Sequence, residues 1–217
     1  MSVHELLNPR VRVHPQPEPR IFPGGDCGAC VLGGLLGIGV QEAYDFVGRR
    51  ARENEARARH WPEPFTVQDM IGALVDAEHA GFLDRVNVSR PMWLYEIPHE
   101  QSSFGPIGAR QVRGWVSYLT MALDAGYVAV ARMDTEARGS GPAETDHWVL
   151  INGIRTRWED HPTVAGARCG IEEIHVLNSS AKLPLESWMD VHDFLRDRGG
   201  FDLLLARKAP SGWSVAE

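Results

Sequence analysis

Apolar positions keep a helical period through the first half of the chain and turn to strand-like runs in the second. Behind Asp26, the residues Val31, Leu32, Leu35 and Leu36 recur in the paired spacing of one helical face, which predicts a helix with Asp26 as its cap. Gly33 and Gly34 fall inside that helix, where each costs roughly 1 kcal/mol relative to alanine, so another backbone is expected to approach there. A second helix is predicted over 41–59, apolar at Ala43, Phe46 and Val47, with a charge run that reads as a solvated face. A third opens on Thr66 as cap, continues "VQDMIGALVDAEHAG" and stops at Gly81. "FLDRVNVS" (82–89) reads as a short strand and "VRGWVSYLTMALDAG" (112–126) as a helix.

Further on, "YVAVARM" (127–133), "HWVLINGI" (147–154), "EEIHVLN" (172–178) and "FDLLLAR" (201–207) read as strands, with a helix over 185–199. Helices first and strands afterwards predict an α+β fold with an antiparallel sheet. The proline-rich residues 1–25 read as an extended arm ending in a Gly-Gly turn, which leaves 26–217 as one domain. Residues 90–110 show no period and predict a long loop, a candidate lining for a substrate cleft. No internal repeat is visible.

Composition narrows the function classes. A chain of 217 residues with 43% hydrophobic content is long enough to bury one sizeable core. Lys+Arg of 22 against Asp+Glu of 29 gives a net charge of -7, without the basic excess that a nucleic-acid partner attracts. No run approaches the roughly 20 apolar residues of a membrane span, and charges and prolines break the N-terminus where a signal peptide needs an apolar centre, so a cytoplasmic location is expected. The three cysteines, Cys27, Cys30 and Cys169, give no disulfide framework and leave room for a thiol with a chemical task.

That task is suggested by "GGDCGACVLGGLLGIG" (24–39), which places Cys27 and Cys30 in the first turn of the predicted helix. A thiol reacts as its thiolate, which the positive helix end and a nearby imidazolium favour, and the adjoining glycines leave space for a carbonyl beside backbone N–H groups. His147, opening the strand in "ETDHWVLINGI", is the candidate base; alone, it would be a strand histidine satisfied by a neighbour. Asn178, closing the strand in "IHVLNSS", is the candidate for orienting the ring, provided a long hairpin joins the two; alone, it would be a turn residue. Asp146 points to the face opposite His147, and Trp148, Trp158 and Trp188 read as packing residues. Two rivals use the same cysteines. A thioredoxin-like redox pair needs a strand just before it, which "RIFPGGD" does not supply, and a zinc site lacks a second ligand pair, since "ARCGIEEIH" offers only Cys169 and His175.

The order Cys, His, Asn resembles that of the papain-like cysteine peptidases. "CGAC" resembles their signature, "DHWVLINGI" their histidine strand and "VLNSS" their Asn-Ser motif. The branch that removes double-glycine leaders is similar in Asp26-Cys27-Gly28 followed by an apolar helix, in His147-Trp148, and in "MIGALVDAEHAGF" as second helix. The resemblance implies a papain-like α+β domain, its nucleophile helix packed on a C-terminal antiparallel sheet, acting on a peptide or protein substrate without cofactor or metal. Its catalytic residues would be Cys27, His147 and Asn178, with Cys30 as the alternative nucleophile; Cys27 is favoured because Leu32, Leu35 and Leu36 keep the spacing of the leader-peptidase pattern. The family's oxyanion glutamine, six residues before the nucleophile, is replaced by Ile21 or, for Cys30, by Gly24. Gln16 lies too far upstream by register, so a backbone N–H or a distant group such as Gln111 would take that part. A weakly catalytic peptide binder and an acyl transferase are the alternatives.

Overall fold

The computed structural model describes residues 4–8, 11–21, 26–53, 65–87, 109–134, 146–160, 168–180, 183–197 and 203–208. Its strands are β1 (His4–Leu7), β2 (Leu83–Asn87), β3 (Val128–Asp134), β4 (Asp146–Asp160), β5 (Arg168–Asn178), β6 (Glu186–Asp190) and β7 (Leu203–Lys208). The helices are α1 (Cys27–Leu36), α2 (Val40–Glu53), α3 (Val67–His79) and α4 (Ala109–Asp124). All strand pairs are antiparallel, in the order β2-β7-β3-β4-β5-β6, with β1 paired to the far half of β4. The fold is α+β, with helices packed against a seven-stranded antiparallel sheet.

Strand alternation sorts the core onto two faces. Val130, Trp148, Leu150, Leu177 and Leu204 pack with α1, α2 and α3, whereas Ala131, Val149, Ile151, Val176 and Leu205 pack with Trp115 and Leu119 of α4. The sheet is thus covered on both sides rather than by the N-terminal helices alone. Helix α1 is apolar nearly all round and accordingly buried, from Gly28 through Leu36, apart from Gly34. Thr66 and Asp69 form a reciprocal capping box at the start of α3, worth about 1 kcal/mol.

The arm is bound rather than loose. β1 extends the sheet beside β4, and residues 11–16 then run along α1: His14 N donates to Cys30 O (3.3 Å), His14 Nε2 to Ile38 O (2.9 Å), and Gln16 N to Ser179 O (3.2 Å). This approach explains Gly34, where an added Cβ would lie 2.1 Å from Arg12 O. Gly34→Ala is therefore expected to displace the arm and lower stability by about 1–3 kcal/mol in a thermal or denaturant melt.

Other expectations need correction. The helix predicted over 185–199 is replaced by strand β6 and a short helical segment over 191–197 that ends in a π-type turn, Asp193–Asp197. β6 supplies the partner that the edge of β5 needs, and its Trp188 stacks on His175, 4.9 Å between ring centroids. β4 and β5 run well beyond the predicted 147–154 and 172–178, and α4 starts at Ala109. The end of the second predicted helix, 54–59, and most of the loop predicted over 90–110 lie outside the described residues. Among the described residues no single helix is long and apolar enough to cross a membrane.

Candidate active site

Cys27 is the first residue of α1 and half-buried. Its sulfur is approached by the backbone N–H groups of Trp148, Gly28 and Cys27 itself, which favour the thiolate. Burial nevertheless dominates and pushes the Cys27 thiol above its ordinary range, with the negative charge of Asp26 adding to it. The N–H groups at the helix start thus lower this thiol as expected, but burial outweighs them and the net direction is upward. Asp26 occupies the N-cap position, but its side chain makes no capping bond, contrary to the predicted cap. Instead it accepts from Ile21 N (3.0 Å) and from the Tyr44 hydroxyl (2.7 Å).

The other two candidates meet through the β4–β5 hairpin. Its ladder runs from the pair Asp160 and Arg168 up to Val149 and Asn178. Since Asn178 stands opposite Val149, two residues beyond His147, both side chains emerge on one face. His147 Nε2 lies 2.5 Å from Asn178 Oδ1 across 31 residues of sequence, both groups buried.

The roles in that bond follow from what surrounds the carboxamide. Asn178 Nδ2 donates to the carbonyls of Ser180 (3.0 Å), Leu183 (3.1 Å) and Pro184 (3.1 Å), which only accept, so Oδ1 must face the imidazole. Oδ1 accepts from Ser180 N (2.9 Å) and hence from a protonated Nε2. In the neutral ring the proton thus sits on Nε2, leaving Nδ1 as the acceptor. Burial holds the His147 pKa below its ordinary value, opposed by the Asn178 bond, so the ring is neutral at pH 7.

Cys30 is turned away. It is fully buried, its thiol donates weakly to Pro15 O at 3.7 Å, and burial pushes its pKa up to about 12, with Asp26 and Cys27 adding and the Ser179 hydroxyl opposing. Cys169 is a strand residue opposite Glu159, and residues 11–21 before the cysteines form no strand. Among the described residues no three His, Cys, Asp or Glu side chains converge on a metal-sized site. Trp148 packs in the core, its indole N–H on Phe65 O (3.0 Å), while its main chain turns to Cys27. The side chains of Asp146 and Gln111 lie outside the described residues.

Two features escaped the sequence reading. Distance along the chain excluded Gln16, yet the doubled-back arm bonds its N–H to Ser179, the neighbour of Asn178. Tyr44, on the buried face of α2, holds Asp26; the signal was a tyrosine among core positions, whose hydroxyl needs a partner. No family model, no curated protein and no solved structure matches the chain.

Proposed function

We propose that the chain is a papain-like cysteine hydrolase that cleaves a peptide or isopeptide bond through a thioester. One observation carries the reading: the carboxamide of Asn178 is fixed by three carbonyls so that His147 keeps its Nδ1 lone pair, while the next residue, Trp148, points its N–H at the Cys27 sulfur.

In this reading the site rests as a neutral thiol and a neutral imidazole, linked along β4 by Trp148, whose N–H reaches the sulfur. His147 Nδ1 takes the thiol proton as the sulfur attacks the carbonyl carbon, and backbone N–H groups at the start of α1 stabilise the oxyanion. The imidazolium then returns its proton to the leaving amine, and water, deprotonated by the same ring, releases the acid. An amine in place of water makes the site a transferase. Gln16, whose main-chain N–H is held on Ser179 O, is the candidate on the arm for a further oxyanion donor.

Incubation with a peptidyl chloromethyl ketone, followed by intact mass and peptide mapping, tests this. One adduct on Cys27, lost in Cys27→Ala and slowed at least about 10-fold in His147→Ala, is expected. Labelling of Cys30 instead, or labelling of Cys27 indifferent to His147, would overturn it. The raised thiol pKa also favours a second reading, a peptide binder without turnover, which predicts saturable binding of a peptide pool with no Cys27-dependent cleavage.

A further inference from the structure

The carboxylate of Asp26 has no place in the steps above, although it directly precedes the nucleophile and is fully buried. It spans three elements: the arm through Ile21 N, α1 through its own position, and α2 through the Tyr44 hydroxyl. Its main-chain carbonyl also accepts from Cys30 N at 2.8 Å, closing the first turn of α1. We infer that Asp26 is a positioning residue of the site, its buried carboxylate tying the arm, α1 and α2 together at the seat of the Cys27 sulfur and setting a negative charge beside it. The inference rests on the reading of Cys27 as nucleophile.

Magnitudes decide the sign. The N-terminus of a helix carries about half a positive charge, whereas an ionised carboxylate one residue away carries a full negative one. At the sulfur the Asp26 charge adds to the larger effect of burial and works against the backbone N–H groups of Trp148, Gly28 and Cys27. The titratable groups that interact with Cys27 among the described residues are Asp26 and Cys30, on either side of it, and Tyr44 on α2; His147 is the sequence neighbour of Trp148, whose main chain reaches the sulfur. From the arm, the imidazole of His14 is engaged by Ile38 O at the far end of α1. Of these groups, Asp26 is the one whose charge opposes thiolate formation at Cys27. The consequence is a nucleophile that stays silent toward simple electrophiles and is activated only when His147 accepts its proton during attack.

Two variants move the sulfur in opposite directions. In Asp26→Asn the amide oxygen still accepts from Ile21 N and the amide N–H donates to the Tyr44 oxygen, so both ties survive without the charge. In Tyr44→Phe the carboxylate keeps its charge but loses the hydroxyl dipole that partly neutralises it. The experiment is the pH-rate profile of iodoacetamide alkylation at Cys27, read by peptide mass, with thermal melts to establish folding. Asp26→Asn is expected to alkylate about 3- to 10-fold faster at pH 7.5, its midpoint displaced to lower pH, and Tyr44→Phe about 2- to 3-fold slower, displaced upward. A merely structural role would move both the same way, and that result, or an unmoved profile in Asp26→Asn, would overturn the inference. If Asp26→Asn does not fold, Tyr44→Phe decides alone: slower supports, equal or faster refutes. Absence of Cys27 labelling in every variant up to high pH removes the nucleophile reading itself, a failure distinct from that of Asp26.

Discussion

Cys27→Ala is expected to reduce hydrolysis of a quenched-fluorescent peptide pool by at least about 1,000-fold, whereas Cys30→Ala should stay within about threefold of the parent, the order of a remote packing change. The two sulfurs sit one helical turn apart, but their surroundings differ in kind. That of Cys27 is half-exposed and faced by main-chain N–H groups, as a sulfur that must meet a carbonyl requires. That of Cys30 is sealed between Pro15 and Ser179, with a pKa near 12, so at neutral pH it acts as a small apolar side chain. Its loss should appear in stability, at about 1 kcal/mol for a cavity the size of one sulfur, and hardly in rate. The measurement is initial velocity at fixed enzyme concentration for both variants, each checked by melting. Equal loss in both, or loss in Cys30→Ala alone, would mean that the nucleophile has been assigned to the wrong turn of the helix.

The contrast shows what the sequence carried and what it did not. α1 was legible because Val31, Leu32, Leu35 and Leu36 mark one face and Gly33-Gly34 announce a close neighbour, which the arm supplies at Arg12. The meeting of His147 and Asn178 was legible as a pair of strand ends, since one hairpin register suffices to bring them together. Protonation was not: helix position and residue type argue for a lowered thiol, and burial, a property of the packed state, reverses the sign with the Asp26 charge adding to it. The arm was illegible for a similar reason. Counting residues back from Cys27 excludes Gln16 as long as the chain is imagined to run straight, whereas Gly34 lets it double back along the helix to Ser179. Over 185–191 the spacing of Leu185, Trp188, Met189 and Val191 fits a helix, but β5 offers an open edge, and Trp188, between His175 and the Arg155 guanidinium at 4.2 Å from its ring, fixes the strand instead. In such a segment tertiary contacts override the local period.

Asn178→Ala should strike stability and turnover together, by about 3–4 kcal/mol and about 100-fold. The stability loss arises because the carbonyls of Ser180, Leu183 and Pro184 lose the Asn178 donor and Ser180 N loses the Oδ1 acceptor; the main-chain bonds of Asn178 N to Leu185 O, Leu183 N to Ser180 O and Gln16 N to Ser179 O remain. The rate loss arises because His147, without Oδ1, no longer keeps its proton on Nε2, and part of the population presents an N–H rather than a lone pair to the thiol. The pH profile separates the two effects. The Asn178 bond raises the pKa of His147 against the larger, lowering effect of burial, so its removal should displace the acid limb of activity to lower pH, whereas instability alone would narrow the profile from both sides. The parent's stability has its own sign. With the folded pKa below the ordinary 6.5, the unfolded chain binds more protons in the interval between them, and stability falls as pH drops through that range. Melts of Asn178→Ala between pH 5 and 8, set beside velocities measured well below each midpoint, decide the matter: an acid limb that stays in place, or a rate loss that vanishes once folding is corrected for, would leave Asn178 as a structural clamp and His147 without the partner that the mechanism gives it.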